Sequence, residues 1–69
     1  MKYSYLRGLS DEALKNIHQH NVYWQLKWWN LYEENYKNNV KDNFTSEQLE
    51  RFTKNVSKIE KVMKERGLI

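Results

Sequence analysis

The chain has 69 residues, with no cysteine, no proline and only two glycines, and its formal net charge is +3. This length allows one domain over residues 1–69, and the missing cysteines exclude a disulfide framework and a thiolate metal site. So few turn-forming residues also disfavour a sheet of several short strands. The composition therefore predicts an all-α fold.

Residues 1–9 form an N-terminal arm before the first helix signal. The arm lacks the apolar run of a signal peptide, and the chain nowhere has the ~18 consecutive apolar residues of a membrane span. We therefore expect a cytoplasmic protein without a membrane partner. Many asparagines and lysines beside a single alanine are typical of AT-rich genes, which indicates a low-GC bacterium, its phages or another mobile element.

The first predicted helix covers residues 10–41. Ser10 fits its N-cap, and Asp11 and Glu12 lie in the first turn, where the helix dipole favours carboxylates. No glycine or proline interrupts this segment, so we expect one continuous helix. The alternative is a break near residues 18–21, which would give three helices.

Two apolar stripes run along this helix at spacings typical of helical faces. Together they occupy well over half of the circumference, so that one partner helix cannot cover both. The first stripe consists of Leu14, Ile17, Asn21, Trp24, Trp28, Leu31 and Asn35. The second stripe consists of Val22, Leu26, Trp29, Tyr36 and Val40.

The second predicted helix covers residues 45–66, after a short link that favours an antiparallel neighbour. Thr45 and Gln48 fit a capping box, and Gly67 fits the left-handed residue that ends a helix. We expect an antiparallel helical hairpin or a small three-helix bundle, with a long tryptophan-rich first helix and a shorter C-terminal one. The single apolar stripe of the second helix consists of Leu49, Phe52, Val56, Ile59 and Met63.

Catalytic and metal-binding patterns find little support in the sequence. His18 and His20 are two positions apart, so on a helix they project about 200° from each other and cannot share one ion. There is no glycine-rich phosphate loop and no nucleophile motif. We therefore expect no enzymatic activity, no cofactor, no metal and no small-molecule substrate.

Aromatic side chains supply the stronger functional signal. Tryptophan and tyrosine are enriched at the energetically important positions of protein interfaces. We expect a non-enzymatic interaction module, a regulator or inhibitor that binds a larger bacterial protein, and self-association as a homodimer. An intramolecular three-helix core that uses the same side chains is the alternative. The expected interface anchors are Trp24, Trp28, Trp29, Leu31, Tyr32 and Tyr36.

Basic residues suggest a second possible function. The isoelectric point is about 9.2, and four cations of the second helix fall on one arc opposite its apolar stripe. Such an arc fits contact with phosphates, as in a nucleic-acid-binding accessory protein, or with an acidic protein. A solvated helix face is the plain alternative. The four residues are Arg51, Lys54, Lys58 and Lys61.

Overall fold

The computed structural model describes residues 1–69 and consists of three α-helices without a strand. In chain order these are α1 (Tyr3–Arg7), α2 (Asp11–Lys37) and α3 (Asn43–Glu65). The predicted all-α fold is confirmed. None of the three helices has the length and apolar character needed to cross a bilayer.

Helix α2 begins where the sequence predicts and ends earlier. The Ser10 hydroxyl accepts a hydrogen bond from the Ala13 amide at 3.1 Å, and the helix then continues through residues 18–21 without a break. It ends at Lys37, not at residue 41, because Asn39 adopts a left-handed conformation with φ 55°. The link to α3 is therefore longer than expected, and it contains Asn39 in the left-handed backbone conformation.

Helix α3 begins at Asn43, two residues before the predicted start. The Asp42 carboxylate caps it by accepting hydrogen bonds from the amides of Phe44 (3.0 Å) and Thr45 (3.4 Å). The Thr45 hydroxyl donates to that same carboxylate at 2.6 Å. The predicted capping box at Thr45 and Gln48 is therefore wrong, since the aspartate, with its two acceptor oxygens, takes the capping position.

The C-terminal end of α3 follows the predicted motif. Gly67 has φ 72°, and the Leu68 amide donates to the Met63 carbonyl at 2.9 Å. This is the six-to-one hydrogen bond of a Schellman motif. Leu68 then packs, partly buried, against the core.

The N-terminal arm contains a helix, α1, that no local signal in the sequence predicts. Helix α1 has no side-chain cap and no acidic residue in its first turn, so tertiary contacts, and not local signals, hold it in place. Its Leu6 side chain is completely buried, together with Leu14 of α2 and Ile59 of α3. The arm thus packs against α2 and α3 as the third element around the core.

The apolar core lies at the end of the hairpin that carries α1. Its buried cluster consists of Leu6, Leu14, Ile59, Val62 and Met63. Only eight of the 69 residues are buried in the whole chain. The half of the hairpin near the link therefore consists of two helices without a third layer.

Polar side chains join α2 to α3 along the length of the hairpin. Asn55 donates to the buried Asn21 at 3.3 Å, and Gln25 donates to Thr53 at 3.2 Å. Near the link, Asn35 donates to Thr45 at 3.4 Å. Because later positions in α2 meet earlier positions in α3, these pairs fix an antiparallel register.

Candidate protein-interaction surfaces

The six predicted interface anchors lie on two different sides of α2. Trp28 is half-buried, and the other five side chains are exposed. At 100° per residue, Trp24 and Leu31 lie on one flank of the contact with α3, and Trp29 and Tyr36 lie on the other. The structure therefore divides the predicted interface into two surfaces.

The first surface, which we call the Trp24 patch, consists of Trp24, Trp28 and Leu31 of α2 and Phe44 of α3. The Trp28 and Phe44 rings meet edge to face, with 5.6 Å between their centroids. Phe44 is 58% exposed and is not among the predicted interface residues. Phe44 belongs to this surface because α3, capped by Asp42, already begins at Asn43.

Cations border the Trp24 patch on both helices. Lys27 follows Trp24 by three positions on α2, and its ammonium lies over the Tyr23 ring, 5.4 Å from the centroid. Arg51 follows Phe44 by seven positions, two turns along the same side of α3. Carboxylates border it as well, since Glu34 follows Leu31 by three positions and Glu47 follows Phe44 by three. The patch thus has an apolar centre with charges of both signs at its margin.

The second surface, which we call the outer seam, consists of Val22, Leu26, Trp29, Glu33 and Tyr36. Tyr32 borders it and stacks on Trp29 with 6.1 Å between ring centroids. A shallow recess opens beside the seam between the two long helices. Its lining residues are Gln25, Leu26, Trp29, Leu49 and Thr53.

The predicted basic arc on α3 is partly used inside the chain. Lys58 donates to the Met1 carbonyl at 3.0 Å, and the Lys58 and Lys61 ammonium groups lie over the Tyr3 ring, 5.8 and 5.1 Å from its centroid. Lys54 forms an ion pair with Glu50 at 2.9 Å, which holds the pKa of that carboxyl below its ordinary value. Nucleic-acid binding through this arc stays a prediction.

Ion pairs hold the N-terminal arm against the end of α3. The Arg7 guanidinium donates to the Glu65 carboxylate at 3.0 and 3.3 Å. This contact lowers the pKa of Glu65 and raises that of Arg7. Arg66 adds hydrogen bonds to the Leu9 carbonyl at 2.7 Å and to Asp11 at 3.1 Å.

The two histidines make different contacts. His18 lies 3.0 Å from the Glu60 carboxylate and joins α2 to α3. His20 instead meets the edge of Trp24, with 6.4 Å between ring centroids. No three residues among the histidines and carboxylates come together as metal ligands would.

No protein-family model, no curated protein and no solved structure matches the chain. A proposal about function therefore rests on the surfaces of the molecule. The Trp24 patch and the outer seam are the most distinctive of these surfaces.

Proposed function

We propose that this chain is a non-enzymatic interaction module that acts in the cytoplasm as a regulator or inhibitor of a larger bacterial protein. The observation that carries the proposal is the exposed Trp24 patch. Contiguous apolar surface on a small protein marks an interaction site, and tryptophan is the residue most enriched among interface hot spots. Trp24 and Leu31 are the proposed anchors because they are already exposed, while Trp28 supports them from a half-buried position.

The margin of the patch suggests the chemistry of the partner. Lys27 and Arg51 stand beside the apolar centre together with Glu34 and Glu47, so we expect on the partner an apolar recess bordered by charges of both signs. Complementary charge at an interface rim guides association and selects the partner, whereas the buried centre supplies affinity.

The shape of the molecule supports an inhibitory role. The chain is a rod of 42 × 18 × 15 Å, and the Trp24 patch lies on one long side of it. Such a rod fits into a groove of a larger protein, in the way that amphipathic helices fill apolar grooves. Occupying a groove in this way blocks whatever else that groove receives.

The experiment begins with capture of the partner from host lysate and continues with the purified pair. We expect Trp24→Ala to weaken binding by about 30-fold or more, since truncating a hot-spot tryptophan costs about 2 kcal/mol or more. Isothermal titration calorimetry measures the change. Circular dichroism of the variant checks that the helices remain, as expected for a side chain outside the core.

Leu26→Ala is the matched control, because Leu26 is an exposed apolar residue on the other side of α2. Its binding to the captured partner is expected to stay within about twofold of the unmodified chain. Equal affinity for the unmodified chain and Trp24→Ala contradicts the proposal. Failure to capture any partner that binds directly contradicts it as well.

A further inference from the structure

The outer seam has the spacing of a coiled-coil seam. Val22, Leu26, Trp29, Glu33 and Tyr36 follow one another at intervals of four, three, four and three residues. This is the heptad pattern through which one helix packs against another. Leu26, Trp29 and Tyr36 are 56%, 47% and 78% exposed, so no helix of this chain covers the seam.

We propose that a second copy of this chain covers the outer seam, with the two α2 helices antiparallel about a two-fold axis level with Leu31. This pairing uses the side of α2 away from the Trp24 patch. It is therefore independent of the partner proposed above. The product is a bundle of four long helices in which each copy keeps its own hairpin.

The antiparallel direction follows from the one charge in the seam. A two-fold axis at this level places Trp29 of each copy opposite Glu33 of the other. The indole N–H is a hydrogen-bond donor and the carboxylate is an acceptor, so the pair is complementary. A parallel arrangement in register places the two Glu33 side chains against each other, and like charges at an interface are unfavourable.

The same axis matches a projecting side chain to a recess. It places Tyr36, the most exposed aromatic residue of the chain, opposite Leu26 of the other copy. Leu26 borders the recess between the long helices, beside Leu49 and Thr53. Each copy thus offers both the knob and the hole, which is the self-complementarity that a two-fold interface requires.

The exposed area agrees with a reversible dimer. Trp29, Tyr32 and Tyr36 are 47%, 40% and 78% exposed, and at about 200 Å² for each aromatic side chain this amounts to roughly 300 Å² for each copy. With Leu26 and the polar margin, two copies bury on the order of 1,000 Å² in total, the lower end of specific interfaces. Association is therefore expected to depend on protein concentration.

Cross-linking between single-cysteine variants tests the pairing, because the chain has no cysteine of its own. Leu26→Cys and Tyr36→Cys chains are treated separately and as a mixture with a short bis-maleimide. In the proposed pairing these two positions face each other. Two copies of position 26 are separated by about 15 Å along the helix axis, beyond the reach of the reagent.

We expect a covalent two-chain product in the mixture and only traces of it in either variant alone. Trp24→Cys alone, a control on the other side of α2, is expected to give no such product. No two-chain product in the mixture overturns the proposal. Cross-linking of Leu26→Cys alone as extensive as in the mixture overturns the antiparallel pairing, and dominant cross-linking of Trp24→Cys assigns the dimer to the other surface.

Discussion

Asp42 fixes the start of α3 through three hydrogen bonds to one carboxylate. The Thr45 hydroxyl and the amides of Thr45 and Phe44 all donate to it. The hydrogen bond from the Thr45 hydroxyl is the main reason why the pKa of Asp42 lies below its ordinary value of 3.8. The Thr45 side chain is buried and its hydroxyl also accepts a hydrogen bond from Asn35 of α2, so the cap lies where the two long helices meet near the link.

This cap predicts a pH dependence. Since the pKa of Asp42 is lower in the folded chain than in the unfolded one, the folded state binds this proton less readily. The stabilisation is complete above the unfolded pKa of about 4 and is lost as the pH falls through the folded pKa. Asp42→Asn is therefore expected to lower the thermal midpoint by a few degrees at pH 7. The thermal midpoint of the variant should also fall less than that of the unmodified chain when the pH is lowered.

Thermal unfolding followed by circular dichroism between pH 7 and pH 2 measures both effects. Glu12→Gln, which removes an exposed carboxylate from the first turn of α2, is the control. The thermal midpoint of this variant is expected to keep the fall in acid that Asp42 causes. An Asp42→Asn variant whose thermal midpoint falls in acid as steeply as that of the unmodified chain contradicts this account.

At the scale of the helices, the end of α3 depends on a left-handed residue at Gly67. A Cβ added there meets nothing within 4 Å, so only the backbone opposes a substitution. Gly67→Ala is expected to lower the free energy of unfolding by about 1–2 kcal/mol, the cost of a left-handed conformation for a residue with a Cβ. Urea unfolding followed by circular dichroism measures the change.

Gly8→Ala is the matched control for this prediction. Gly8 has φ −82° and ψ −9°, which any residue adopts, and an added Cβ makes only ordinary contacts at 3.5 and 3.6 Å. We expect this variant to be neutral or more stable by up to about 1 kcal/mol, because alanine restricts the unfolded chain. Equal stability changes in both variants contradict the role assigned to Gly67.

Helix signals could be predicted from the sequence where they are local. Ser10 and Gly67 act through hydrogen bonds within a few residues, so their positions in the sequence were sufficient. Helix α1 could not be predicted in this way, because what holds it is the burial of Leu6 against Ile59, more than 50 positions away. The start of α3 was misplaced because both Asp42 and Thr45 are capping residues.

Most residues of the candidate surfaces could be predicted from the sequence, but their division into two surfaces could not. The two apolar stripes of α2 are similar in sequence, and periodicity does not say which of them α3 covers. In the structure α3 covers the first stripe, whose polar members Asn21 and Asn35 form hydrogen bonds with Asn55 and Thr45. The outer seam, with no such polar partner on α3, is left facing outward.

At the scale of the whole molecule, the core and the aromatic surfaces occupy different parts of the rod. Helix α1 covers one end, where the buried apolar cluster lies. Towards the link, two helices alone cannot cover both apolar sides of α2. This division leaves the Trp24 patch and the outer seam as separate surfaces, for which we propose a foreign protein and a second copy, respectively.

The central claim is that α2 carries more apolar surface than its own chain covers, and that a second copy covers the outer seam. Light-scattering mass of the unmodified chain across dilution tests this claim most directly. We expect the mass of two chains at concentrations near 1 mM, falling to that of one chain near 1 μM, as for a reversible dimer of modest interface. A single-chain mass at every concentration would contradict the account.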